Sequence, residues 1–107
     1  MQRSATPFLL LMFFSQSAAS QPALNEAQLH GMRLFNQSCR VCHTKPQMAS
    51  AQYAPLLSRV SLGGDDGALR AFIANGSAKM PGFKYHFKPD EIDALVAYIK
   101  TLDPARE

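Results

Sequence analysis

The sequence predicts an all-α domain of about three main helices joined by long loops, and three observations lead there. Apolar residues recur at helical spacing in three stretches, about 25–38, 66–75 and 89–102. No stretch shows the apolar–polar alternation of a half-buried strand. The third observation is the run Cys39-Arg40-Val41-Cys42-His43, which gives a chain of 107 residues a chemical centre to fold around.

A Cys-x-x-Cys-His run reads as an attachment site for haem c. Two thiols three residues apart share one face of a helical turn, so each can form a thioether with one of two neighbouring vinyl groups. The histidine follows directly and can place an imidazole nitrogen under the iron as proximal ligand. Three other readings compete: a structural disulfide, a redox dithiol, or half of a zinc site. Zinc would need His30 and His86 without ligand spacing, since the chain has only these two cysteines. A thioredoxin-type dithiol would follow a strand in a βαβ pattern, which residues 39–43 lack.

Taken in order, residues 1–20 read as an export signal. Arg3 is the only early charge, an apolar run spans Pro7 to Phe14, and small residues follow up to Ser20. The apolar run is far short of the roughly 20 residues of a membrane-spanning helix, so an uncleaved anchor is the lesser reading and no stable membrane insertion is expected. Residues 21–107 then form one domain, placed in the periplasm. Both cysteines would be consumed there by haem, which suits an oxidising compartment. At this size an apolar core alone is marginal, and a covalently held porphyrin would supply its missing centre. Lys and Arg number 11 against 8 Asp and Glu, a formal charge of +3 that falls to about +2 without Arg3. That is too small to argue for nucleic acid, and no basic run with interleaved aromatics appears.

Asn25 with Gln28 forms a capping-box pattern opening a first helix over about 25–38. Its inward face reads Ala27, Gly31, Leu34, Phe35 and Ser38. A helical glycine costs about 1 kcal/mol relative to alanine, so Gly31 points to a close helix crossing. His30 reads as an exposed helix histidine. From Thr44 to Gly64 nothing is periodic, and Pro46, Pro55 and Gly63-Gly64 mark a long connection, reasonable if it wraps a cofactor. Asp65-Asp66 can cap a second helix over about 66–75, with Leu69, Phe72 and Ile73 inward and Gly76 as its stop. Pro89 suits the first position of a last helix over about 89–102, with Asp90 and Glu91 at its positive end. Its stripe is Ile92, Leu95, Val96, Ile99 and Leu102.

These residues together resemble the small single-haem class I cytochromes c, over essentially all of residues 25–102. The matching features are Gly31 and Phe35, the Cys39–His43 run, Ala54-Pro55-Leu56, Met80-Pro81-Gly82-Phe83, and a final helix bearing Leu95 and Tyr98. The resemblance implies a class I cytochrome c fold, with the first and last helices crossing near Gly31 and Phe35 and Tyr98 packed there. It implies Met80 as the sixth iron ligand opposite His43. It also implies a hydrogen bond from the other ring nitrogen of His43 to the carbonyl of Pro55, a contact that orients the ligand and tunes the metal. The family usually has glycine before that proline, where this chain has Ala54.

Met80 can also be weighed on its own. Met32 lies on the histidine side of the haem, and Met48 would have to round the porphyrin edge. Met80 sits in a loop between helices with Pro81 restricting its backbone. A core methionine, or His86 as a second imidazole ligand, remains the alternative. The function expected is single-electron transfer between periplasmic redox proteins, with both axial positions filled and no substrate chemistry. A dedicated electron-transfer subunit of a periplasmic quinoprotein-type dehydrogenase is the alternative, and a peroxidase-like or gas-binding haem enzyme ranks below it. Arg40, Lys45, Lys79, Lys84 and Lys88 are expected near the haem crevice, where a basic rim would steer an acidic face of a redox partner.

Overall fold

The computed structural model describes residues 23–44 and 52–104. Among them lie four α-helices, α1 (Glu26–Ser38), α2 (Arg40–His43), α3 (Asp66–Asn75) and α4 (Pro89–Ile99), one 3₁₀ segment (Ser61–Gly64) and no strand. The expected signal over residues 1–20, together with Lys45, Pro46 and Met48, falls outside the described residues.

The cap of α1 is the one its sequence predicts. The Asn25 side chain accepts from the Gln28 N–H at 2.8 Å, and the Gln28 side chain accepts from the Asn25 N–H at 2.9 Å. Two donors left over at the helix start are thereby satisfied. Gly31, Leu34 and Phe35 are buried. Ala27, expected inward, is exposed and Ser38 only half-buried, because α4 crosses the middle of α1 rather than its first turn.

That crossing is set by Gly31. A Cβ at residue 31 would stand 1.9 Å from the carbonyl oxygen of Ala94 and 2.9 Å from the Cβ of Tyr98. Backbone therefore meets backbone, and the aromatic rings of Phe35 and Tyr98 pack edge to face beside the crossing, 5.3 Å between centroids. On α4, Pro89 takes the first turn and the Glu91 carboxylate accepts from the Lys88 N–H at 2.9 Å. All five residues of the expected stripe are buried, with Leu95 fully so. The helix stops at Ile99, three residues before the expected end. The chain then tightens into a turn, with the Leu102 N–H bonded to the Ile99 carbonyl at 3.0 Å, and Leu102 still reaches the core.

α3 packs against α4. The Asp65 side chain caps it by accepting from the Ala68 N–H at 2.8 Å, and Gly76 ends it in a left-handed conformation (φ +69°). Leu69 and Ile73 are buried as expected, whereas Phe72 is 42 % exposed. Phe72 faces a cavity rather than another helix, which is why helical spacing alone misplaces it. The pairs Arg70–Asp93 and Lys100–Asp66 join α3 to the α4 region at the surface, where such pairs contribute little to stability.

The loop after α3 turns back onto that helix. The N–H groups of Phe83 and Lys84 bond to the carbonyls of Ile73 and Ala74 at 2.9 and 3.1 Å, satisfying two acceptors left over at the helix end. The close return depends on glycine. A Cβ on Gly82 would lie 2.7 Å from the Ala74 oxygen, and one on Gly76 would lie 2.3 Å from the Met80 oxygen. The buried residues of α1, α3 and α4, with Phe87 and Leu102, form one core.

Two substitutions check this frame. Gly31→Ala gains about 1 kcal/mol of helix propensity but forces the crossing apart, for a net loss of about 3 kcal/mol in denaturant unfolding of the holo-protein. An unchanged midpoint would show that the backbones do not meet there. Gly82→Ala pushes on the end of α3 and lowers stability by about 1–3 kcal/mol in the same measurement.

Candidate haem site

One cavity of about 640 Å³ opens between the 53–62 segment, α3 and the 77–81 loop, with Ile99 of α4 at its base. Its volume lies in the range that holds a cofactor-sized ligand. Leu57, Leu69, Phe72, Ile73 and Ile99 make its wall largely apolar. Among the described residues, Lys79 is the sole formally charged side chain on that wall.

The attachment run sits at a break in the helix. α1 ends at Ser38, and Cys39 serves as cap for the single turn of α2. The Cys42 and His43 N–H groups both bond to the Cys39 carbonyl, at 3.2 and 3.1 Å, so the run keeps the compact turn that its spacing predicts. Cys42 and His43 line the cavity. Cys39 does not: it lies buried with the core at the foot of α1. The two cysteines are not joined to each other as a disulfide. Burial, reinforced by the neighbouring Cys42, pushes the Cys39 thiol up to about 11. That is the reverse of the activation a nucleophilic thiol needs, so Cys39 is not poised as one. Among the described residues no group of three or more His, Cys, Asp or Glu is placed to hold a metal ion, which leaves a zinc site without ligands.

His43 donates its Nδ1–H to the carbonyl of Pro55 at 2.7 Å. A carbonyl can only accept, so this contact fixes the tautomer and leaves Nε2 as the free base that a metal ion requires. Ala54 in place of glycine does not disturb the Pro55 carbonyl. Met80 is half-buried and lines the same cavity from the loop beyond α3. Its carbonyl accepts from the Ser77 N–H at 2.8 Å, closing a small ring that holds the loop in shape. The donor set around the cavity is thus one oriented imidazole, one thioether and one thiol, with a second thiol a turn away. That set, in an apolar cavity of this size, fits an iron porphyrin.

His86, the alternative to Met80, is exposed and packs edge-on against Phe87 and Phe83, away from the cavity wall. His30 is exposed on α1, as expected, and Met32 is half-buried on the same helix. The basic rim is thinner than its sequence suggests. Lys79 stands on the wall and Arg40 is exposed beside the attachment turn. Lys84 instead borders a separate, smaller hollow with Arg70 and Asp93, its ammonium 5.1 Å from the ring of Tyr85. Lys88 caps the start of α4 and lies on neither wall. The chain's return onto α3 carries Lys84 to that other face. Tyr53 is the residue that sequence reasoning missed. It lines the cavity, and its hydroxyl donates to the Lys79 carbonyl at 3.3 Å. Its only signal in the sequence is its place two residues before Pro55.

Comparison with known proteins agrees with this chemistry. A family model described as cytochrome c oxidase, cbb3-type, subunit III matches residues 26–99. Cytochrome c6 of Nostoc sp. is 31% identical over 85 residues, covering 77% of each protein. In three dimensions the chain is similar to cytochrome c6 of the diatom Phaeodactylum tricornutum, with a TM-score of 0.54, 22% identity, and coverage of 67% of this chain and 88% of that one. This last likeness shows the all-α fold. With the matched family model and the curated relative, it identifies the chain as a small single-haem member of the class I cytochrome c family, with one covalently bound haem c.

Proposed function

We propose that the chain carries single electrons between redox proteins, using a haem c that Cys39 and Cys42 would anchor covalently and whose iron His43 and Met80 would hold. The observation that carries this reading is the hydrogen bond from His43 Nδ1–H to Pro55, which aims the free imidazole nitrogen on a cavity wall that also bears Met80. When bound, the haem supplies the one-electron chemistry, cycling between Fe(III) and Fe(II). The protein's part is to hold and tune. Pro55 keeps the His43 ring oriented, and the thioether of Met80 favours the reduced state and raises the potential. Leu69, Ile73 and Ile99 exclude water, which preserves the ligand set through both states. His43 and Met80 would together hold the iron and leave it no place for a substrate, so the chain acts as a carrier rather than an enzyme.

Partners are redox proteins that meet the cavity mouth. Exposed Tyr53, Val60, Leu62 and Phe72 line it together with Lys79, an apolar contact surface with one cation to meet an acidic partner. Among the described residues no helix is long and apolar enough to cross a membrane. Residues 1–20 act as an export signal and residues 21–107 as the mature cytochrome domain in the periplasm.

Met80→Ala tests the ligand assignment. The variant loses the weak near-infrared sulfur–iron band, its reduction potential falls, and its reduced form binds CO at neutral pH. Retention of the band, with CO still excluded, would pass the sixth position to another residue.

A further inference from the structure

The loop that carries Met80 is built like a flap. Its hinge side is fixed to α3, where the Phe83 and Lys84 N–H groups bond to the Ile73 and Ala74 carbonyls and Gly76 and Gly82 allow the close return. Within the flap, Ser77 bonds to Met80 in both directions, and the Lys79 N–H reaches the Ser77 hydroxyl at 3.3 Å. These bonds shape the flap without tying its free edge to the opposite wall.

Tyr53 catches that edge. Its hydroxyl donates to the carbonyl of Lys79, which belongs to the same peptide group as the Met80 nitrogen. Tyr53 is 72 % exposed, so its ring adds little to the core and the contact acts chiefly on the flap. Two residues further on, Pro55 holds His43. The short segment 53–55 therefore touches His43 directly, through the Pro55 carbonyl, and reaches the residue before Met80 through the Tyr53 phenol.

We infer that Tyr53 is a positioning residue that holds the Met80 flap across the cavity and so sets how readily Met80 yields to an outside ligand. The inference rests on the reading of Met80 as the sixth ligand. Lifting the flap edge breaks the Tyr53–Lys79 bond each time Met80 leaves. Removing the phenol oxygen makes departure easier by the worth of one exposed hydrogen bond, about fivefold. The ring stays in place in a Tyr53→Phe variant, and its exposure makes a folding defect no part of the expected result.

The test is a titration of the ferric holo-protein with imidazole, followed by absorption, in four proteins: the native chain, Y53F, M80A and the double variant. The expected result is that Y53F binds imidazole about fivefold more tightly than the native chain. In the M80A background the same change has no effect, because no Met80 remains to be held. If Y53F leaves the affinity unchanged while M80A raises it, the role of Tyr53 is overturned and that of Met80 stands. Equal tightening in both backgrounds also overturns the inference, since Tyr53 would then act on the cavity and not through the flap. If M80A itself leaves the affinity unchanged, Met80 is not the ligand, and the inference fails with its premise.

Discussion

The backbone contact between Gly31 and Ala94 governs the rest of the molecule. A side chain of any size at residue 31 would collide with the Ala94 carbonyl, so α1 and α4 can approach this closely only through glycine. The approach lets Phe35, Leu95, Val96 and Ile99 share one compact core, with Tyr98 packed at its edge. It also places the end of α1, and with it the attachment turn, next to that core. α3 then leans on α4, and the space left between α3 and the 53–62 segment becomes the cavity. A small protein with this frame has a fixed scaffold on one side and an apolar hollow on the other.

The two walls of that hollow are held by different kinds of interaction. On one wall a single turn of helix is fastened at Cys39, and one carbonyl at Pro55 orients the imidazole. On the other wall no helix bears the thioether. A loop does so, anchored by spare carbonyls at the end of α3 and made possible by two glycines. The first arrangement is rigid and local, while the second has to be restrained from several sides. That difference explains why hydrogen bonds to the loop backbone matter for a residue whose side chain is proposed to hold the iron.

Much of this was legible in the sequence because the relevant signals are local. Asn25 with Gln28, Asp65 before α3 and Pro89 at α4 are caps whose geometry depends only on neighbouring residues, and all three stand where the pattern puts them. Gly31 and the α4 stripe were readable because helical spacing maps directly onto a buried face. The resemblance to class I cytochromes c supplied the Pro55 contact, which no spacing would have suggested at a separation of 12 residues. What stayed hidden depends on tertiary placement. Phe72 keeps helical register yet looks into a cavity, Lys84 is carried to another face by the loop's return, and Tyr53 finds its partner 26 residues away. Periodicity carries no information about such meetings.

The central claim is that a porphyrin, bonded to the chain through its two cysteines, fills the cavity. The most direct measurement is the mass of the protein purified from cells that supply the attachment machinery, taken with a pyridine haemochrome spectrum. The account predicts a polypeptide heavier by one haem, with no thiol left to alkylate and the spectrum of a haem with both vinyl groups saturated. The mass of the bare polypeptide, with Cys39 and Cys42 both open to alkylation, would contradict it.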